Sequence, residues 1–279
     1  MNLSKRRTPA GFTLVELLVV ITIIAILVGL ISVAAVNVLW NARQTRIKIE
    51  LDGLDMALKA YKEKYGSYPP ADLRTGDPTA LAALRAHFAK AFPRYDITTT
   101  PNRLQTELAA RVDTTKFDPA RALVFWLSGF SPDVTDPIAG GGTRTPFFDF
   151  KSTRLVTVTG TTGAVYMPDG VNNAPFVYYD FRSYAAPGVY TYASSGAVTP
   201  YAVDSNNNGT YDSATETWAN PDSFQIISAG QDATFGVAAT SPPSTPKLYP
   251  TGTGYDPDGA DNDNLTNFCD RSSLEAARP

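Results

Sequence analysis

The chain has 279 residues, of which 43% are apolar and 18% are charged, and its formal net charge is −3. That length accommodates one membrane segment and one globular domain, and the mild charge does not favour nucleic-acid binding, which needs a basic surface. A single cysteine, Cys269, excludes an intramolecular disulfide. A single histidine, His87, in an ordinary amphipathic pattern disfavours zinc sites and histidine-dependent catalysis, so the composition does not predict an enzyme.

The N-terminal segment is cationic and then apolar. Residues 2–11 contain three basic residues and no acid, and residues 12–39 are almost wholly apolar. The apolar run exceeds the roughly 20 residues that a helix needs to cross a bilayer, and it is longer than the apolar part of a secretory signal. We therefore predict a transmembrane helix that stays on the protein, with its cationic flank in the cytoplasm and the rest of the chain outside.

Glu16 interrupts this apolar run, and no Lys or Arg lies one helical turn away. A carboxylate in a membrane helix costs a few kcal/mol and marks a function or a partner, unless it reaches the near interface. The sequence Gly11-Phe12-Thr13-Leu14-Val15-Glu16-Leu17 follows the basic leader and heads the helix. This arrangement resembles the N-terminal motif of type IV pilins and of the pseudopilins of type II secretion.

The resemblance implies that a prepilin peptidase cleaves after Gly11 and that Phe12 becomes the N-methylated N-terminus. It also implies that Glu16 pairs with the cationic N-terminus of a neighbouring subunit, since two charges that are costly alone become tolerable when paired. Many members carry a proline late in the apolar segment, but residues 28–38 contain none.

The helix is predicted to continue beyond the membrane. Ile47, Leu51, Leu54 and Leu58 recur at helical spacing, and Gly66 with the prolines after it ends the pattern at about residue 65. The predicted divisions are a cleaved leader (1–11), a transmembrane helix (12–39), an amphipathic continuation (40–66) and a periplasmic head (67–279).

The head is predicted to begin with short helices and to continue with strands. The helical segments are residues 79–92, 103–112 and 119–130, and residues 139–146 form a flexible joint. Segments rich in β-branched and aromatic residues follow, at 154–159, 164–167, 176–181, 189–193 and 224–229. We therefore predict an α+β fold in which the lower half of the long helix packs on one face of an antiparallel sheet.

The first of two acidic loops alternates oxygen-bearing side chains at Asp204, Asn206 and Asn208 and places a glycine where a sharp turn is needed. This is the first half of an EF-hand-like calcium loop. The glutamate expected at the twelfth position is absent, Glu216 comes one residue late, and Asp212 is a carboxylate available in its place. The alternative is an Asn-Gly hairpin turn that needs no ion.

The second acidic loop has four carboxylates within residues 256–263. With the segment 224–232 before it, the loop resembles the C-terminal part of major pseudopilins, in which a calcium ion pins the loop. The resemblance points to Asp261 and Asp263 as ligands, and the alternative is a solvated acidic turn.

The resemblance thus implies a structural subunit of a periplasmic pseudopilus, working with copies of itself, other pseudopilins, the prepilin peptidase and the inner-membrane platform of a type II secretion system. A type IV pilin or minor pilin for adhesion or DNA uptake is the alternative within the family. A membrane-tethered binding module is the alternative outside it, and it predicts exposed Tyr or Trp side chains clustered in one patch of the head.

Overall fold

The computed structural model describes residues 12–97, 102–184, 188–236, 246–252, 254–256, 258–270 and 273–277, except for the side chains of residues 31–37. The chain divides into two compact units, Met1–Ala42 and Arg43–Pro279. The predicted leader lies outside the described residues, and the predicted division of the chain into four segments stays a prediction.

The long helix α1 runs from Leu14 to Tyr65 and ends at the predicted residue. Gly66 follows with a φ of +81°, a left-handed conformation that glycine adopts without strain at a helix end, and its N–H donates to the carbonyl of Lys62 at 2.7 Å. In the part of the chain that the structure describes, no helical segment meets the length and hydropathy required to span a bilayer. The transmembrane segment over residues 12–39 stays a prediction.

Three short helices follow in the second unit, α2 (Pro78–Ala91), α3 (Arg103–Ala109) and α4 (Pro119–Leu127). Each was predicted, although α3 and α4 end three residues earlier than expected. Both α2 and α4 begin with an aspartate followed by proline. The carboxylates of Asp77 and Asp118 accept backbone N–H bonds in the first turn, and proline at the first helical position has no N–H to leave unsatisfied.

The strands are short and form several small sheets. They are β1 (Leu155–Val156), β2 (Val165–Tyr166), β3 (Val177–Asp180), β4 (Tyr190–Thr191), β5 (Ala197–Val198), β6 (Tyr201–Val203), β7 (Thr217–Trp218), β8 (Phe224–Ser228), β9 (Lys247–Tyr249) and β10 (Leu265–Thr266). The described sheets have the orders β1-β2, β10-β8-β3, β4-β5 and β7-β6-β9.

The prediction of antiparallel strands was right in part, but the prediction of one antiparallel sheet was wrong. The β10-β8-β3 sheet is antiparallel throughout, but β6 pairs with β9 in parallel, and the strands do not form one sheet. The predicted strand 154–159 is reduced to β1, because residues Ser152–Arg154 form a 3-10 turn and the pairing with β2 ends at Val156. Residue type favours strands here, but pairing partners distant in sequence decide where each strand ends.

The lower half of α1 lies in the main hydrophobic core. Ile47, Leu51, Leu54 and Leu58 are fully buried and share one cluster with apolar residues of α4 and of the β10-β8-β3 sheet. The predicted packing of the amphipathic helix against a sheet is therefore confirmed within the second unit.

A second, aromatic cluster surrounds the end of α1. Tyr61 and Trp126 are fully buried with ring centroids 5.9 Å apart. His87 is 3% exposed, with Nε2 2.9 Å from the Tyr61 hydroxyl and Nδ1 3.1 Å from that of Ser67. Burial lowers the pKa of His87 to about 3, so the ring is neutral at physiological pH and has a packing role, as its sequence context predicted.

Candidate assembly and cation sites

The first predicted site lies at the start of α1. Phe12 is 81% exposed and precedes the helix, and Gly11 lies outside the described residues. The Glu16 carboxylate accepts the backbone N–H of Thr13 at 2.8 Å and its hydroxyl at 2.7 Å. The Glu16 N–H in turn donates to the Thr13 hydroxyl at 3.2 Å. This reciprocal arrangement is a capping box, in which the first helical turn satisfies its own N–H groups.

The capping box keeps Glu16 at the end of an apolar surface. Every large apolar side chain from Phe12 to Leu30 is 45% or more exposed. Within its own unit, the described part of this helix therefore buries little of its apolar area. Lipid or other apolar helices are the surroundings that would remove this area from water.

The first acidic loop is held between two paired strands. It connects β6 to β7, which are antiparallel neighbours. The strands end at Val203 and resume at Thr217, so the connection is longer than the two-residue Asn-Gly turn of a tight hairpin. The Asp204 carboxylate accepts N–H bonds from Asn208 at 3.2 Å and Gly209 at 2.9 Å, and the Thr251 hydroxyl donates to it at 2.9 Å. The Asp204 carboxylate thus holds the turn together through these hydrogen bonds.

Glu216, rather than Asp212, closes this loop. Its carboxylate accepts the Asn206 side-chain amide at 3.0 Å and the backbone N–H of Asp212. Asp204 and Glu216 are each 3% exposed. The Asp212 carboxylate accepts the N–H of Ala214 at 2.9 Å within its own turn. Among the described residues, neither Asp204 nor Glu216 has a Lys, Arg or His side chain within ion-pair distance.

The second acidic loop is organised differently. The Asp261 carboxylate is fully buried, and its Oδ1 accepts from Lys247 Nζ at 2.6 Å, from the Tyr201 hydroxyl at 2.7 Å and from Asn264 Nδ2 at 3.2 Å. The other oxygen, Oδ2, accepts the N–H of Asp256 at 3.1 Å. Lys247 is also fully buried, and this burial lowers the pKa of its ammonium group against the opposing effect of Asp261.

Asp263 accepts hydrogen bonds from the start of the segment after β8. Its Oδ2 accepts the N–H groups of Gln231 at 2.6 Å and Asp232 at 3.0 Å. Gly230 permits this approach, because a Cβ there would lie 2.2 Å from the Asp263 carbonyl oxygen. Burial, together with the Asp263 charge, raises the pKa of Asp232 to about 6.

The acidic residues therefore do not assemble into a carboxylate-rich metal centre. Among the described residues, no three His, Cys, Asp or Glu side chains come together in a way that could hold a metal ion. In the second loop, Asp261 Oδ1 accepts three donors, one of them the ammonium group of Lys247, and this oxygen does not fit a calcium ligand. In the first loop, the side-chain oxygens of Asp204, Asn206, Asn208 and Glu216 also accept hydrogen bonds, but none of these bonds comes from a cationic side chain of the described residues.

Residues 6–32 match the family model described as the prokaryotic N-terminal methylation motif. This motif is the type IV pilin and pseudopilin signature, and it supports a type IV pilin-like protein, the class that the sequence predicted. The motif implies processing by a prepilin peptidase and pilus-like self-assembly, and proteins that carry it are normally structural rather than enzymatic. Comparison of the chain with curated proteins and with solved structures gave no match.

Two features of these sites were missed from the sequence. The pattern Thr13-x-x-Glu16 is a capping-box signature and was available as a signal. The buried ion pair of Lys247 and Asp261 had no such signal, because its partners are 14 positions apart and no local sequence pattern links them.

Proposed function

We propose that the chain is a pseudopilin: a precursor cleaved after Gly11, methylated at Phe12, and assembled into a periplasmic pseudopilus for type II protein secretion. The observation that carries the proposal is the methylation motif at residues 6–32 at the head of an exposed apolar helix. Before assembly the helix anchors the subunit in the inner membrane by a single pass, with the head in the periplasm. In the fibre, neighbouring helices cover the same apolar side chains.

The single, buried Cys269 favours the secretion role over an adhesive type IV pilin, because such pilins typically close a C-terminal loop with two cysteines. The membrane-tethered binding module predicted an exposed patch of Tyr or Trp side chains. In the described head, every tyrosine is buried or half-buried, and so are Trp126 and Trp218. The head therefore lacks, over its described residues, the aromatic surface that would favour this alternative.

The test measures both the secretion of proteins and the processing of the chain itself. The native gene is deleted in the source cell, and the medium and periplasm are compared with those of a complemented strain. If the chain is a pseudopilin, the deletion strain is expected to accumulate in its periplasm the proteins that the complemented strain exports. The complementing chain is expected to have the intact mass of a protein that starts at methylated Phe12. Normal secretion with loss of surface adhesion or DNA uptake would instead assign the chain to the type IV pilins, and an uncut chain would contradict both assignments.

We also propose that calcium binds the loop of residues 204–216. Asp204, Asn206, Asn208 and Glu216 supply the oxygen ligands that calcium prefers. Two buried carboxylates with no cationic side chain in ion-pair distance among the described residues support the proposal, since buried charges are normally paired or bound to metal. When bound, the ion would neutralise both carboxylates and stiffen the connection between β6 and β7.

Calcium is expected to raise the thermal unfolding temperature of the full-length chain, because it binds the folded loop preferentially. A hundredfold excess over Kd contributes about 2.7 kcal/mol. Glu216→Gln is expected to remove the response, whereas Asp212→Asn, the matched control, is expected to keep it. Calorimetric titration of the two variants checks the result. A response that survives Glu216→Gln would contradict the assignment.

A further inference from the structure

The ammonium group of Lys247 is bound by oxygens in the manner of a small cation. Its Nζ lies 2.6 Å from Asp261 Oδ1 and 2.7 Å from the main-chain carbonyl oxygen of Phe235. Carboxylate and main-chain carbonyl oxygens are the ligands that calcium takes in protein loops. Lys247, Asp261 and Phe235 are all fully buried, so solvent does not stabilise the charges.

The three residues come from separate parts of the head. Lys247 begins β9, Phe235 follows β8, and Asp261 lies in the acidic loop before β10. The ammonium group therefore joins the acidic loop to the segment after β8. Gly236 allows the close approach, because a Cβ there would lie 2.6 Å from Asp261 Oδ2.

A calcium ion at Asp261 would compete with this group for the same oxygen. Calcium binds oxygen at about 2.3–2.6 Å, so it would lie within a few ångströms of Nζ. Two cations that close repel strongly in a buried site, because the effective dielectric constant there is low. Tyr201 and Asn264 also donate to Asp261 Oδ1, and the N–H of Asp256 donates to Oδ2.

We propose that Lys247 is a built-in cation that replaces calcium at Asp261, so that the C-terminal acidic loop closes without a metal ion. This differs from the calcium-pinned loop that the resemblance to major pseudopilins predicts. The proposal concerns the fold of the head, and it holds or fails whether or not the subunit assembles into a fibre. It also distinguishes Asp261 from the two buried carboxylates of the first loop, because Asp261 has Lys247 as its cation, whereas Asp204 and Glu216 have no cationic side chain within ion-pair distance among the described residues.

The first test uses full-length chain that carries Glu216→Gln, which removes the calcium response proposed for the first loop. Amide hydrogen exchange of residues 258–270 is measured in EDTA and in calcium. Exchange is expected to be the same in both, because Lys247 already closes the loop. Slower exchange in calcium would overturn the proposal, and this measurement does not depend on any variant of Lys247.

The second test removes the ammonium group in the same Glu216→Gln background. Lys247→Ala removes the cation from Asp261 Oδ1 and from the Phe235 carbonyl and leaves space for an ion. Calcium in the millimolar range of extracellular sites is expected to slow exchange of residues 258–270 by about tenfold in this variant. Magnesium is expected to do less, because it needs near-ideal octahedral geometry.

Lys247→Met is the matched control, since it also lacks the charge but fills the space. It is expected to show fast exchange of residues 258–270 with or without calcium. A Lys247→Ala variant that ignores calcium, or a Lys247→Met variant that responds equally, would overturn the assignment. Should Lys247→Ala fail to fold in both buffers, the exchange experiment on the chain that keeps Lys247 decides the question.

Discussion

Glu16→Ala is expected to abolish fibre assembly while cleavage after Gly11 and the fold of the head remain intact. The reason is the charge that the proposed cleavage would create at the new N-terminus. A free N-terminal amine at Phe12 is costly among apolar helices unless a carboxylate neutralises it. Removing one member of a buried charge pair typically costs about 2–5 kcal/mol, and in a fibre this cost recurs at every subunit. Electron microscopy of sheared or overexpressed fibres, beside intact mass of the membrane fraction, measures both outcomes.

The capping box provides the control for this experiment, because helix capping is a second possible reason why assembly would require Glu16. Thr13→Val removes the hydroxyl that bonds the Glu16 carboxylate but keeps the carboxylate itself. Loss of this cap is expected to weaken the first turn by about 1 kcal/mol, and fibres should still form. If Thr13→Val loses assembly as completely as Glu16→Ala, helix capping rather than pairing between subunits explains the requirement.

Local signals predicted the helices of this chain well. The end of α1 at Tyr65 was readable because Gly66 and the following prolines cannot continue a helix. The starts of α2 and α4 were readable within a residue, since an aspartate followed by proline supplies both the cap and the fixed φ. These signals act within a few residues, so they do not depend on the rest of the fold.

The sheets and the second acidic loop depend on distant partners, and the sequence predicted them less well. The parallel pairing of Tyr201 with Lys247 joins segments 46 positions apart. It also brings Lys247 toward Asp261. Four carboxylates in one loop left a calcium ion and a solvated turn as alternatives, and the cation in contact with Asp261 is a lysine from β9. No pattern inside the loop distinguishes that lysine from a metal ion.

The largest effect on head stability is expected from Glu50→Ala, which breaks an ion pair between α1 and the head. The side chains of Glu50 and Arg154 are 12% and 13% exposed. Arg154 Nη1 donates to Glu50 Oε2 at 2.6 Å, and the Tyr166 hydroxyl donates to Glu50 Oε1 at 2.7 Å. Without Glu50, the guanidinium group of Arg154 loses its counter-ion at a position that is largely shielded from water. The free energy of unfolding is expected to fall by about 3–5 kcal/mol.

Urea unfolding of the full-length chain in detergent, followed by tryptophan fluorescence, measures this loss. Arg46→Ala is the surface control, since its pair with Asp169 also joins α1 to the head but the two side chains are 61% and 39% exposed. Exposed pairs contribute at most about 1 kcal/mol, because water screens both charges. If Glu50→Ala and Arg46→Ala lower the free energy of unfolding equally, the ion pair of Glu50 with Arg154 is effectively solvated.

The double variant Glu50→Leu with Arg154→Met separates the cost of a broken pair from the value of an intact one. Apolar side chains of similar volume need no counter-ion, so replacing a buried pair as a unit is often neutral or stabilising. We expect the double variant to recover most of the stability that Glu50→Ala loses. A double variant as unstable as the single one would instead show that the pair has net stabilising energy, with Tyr166 as its third member. In that case, the lower half of α1 is fixed to the head by this polar contact as well as by the core around Leu51 and Leu54.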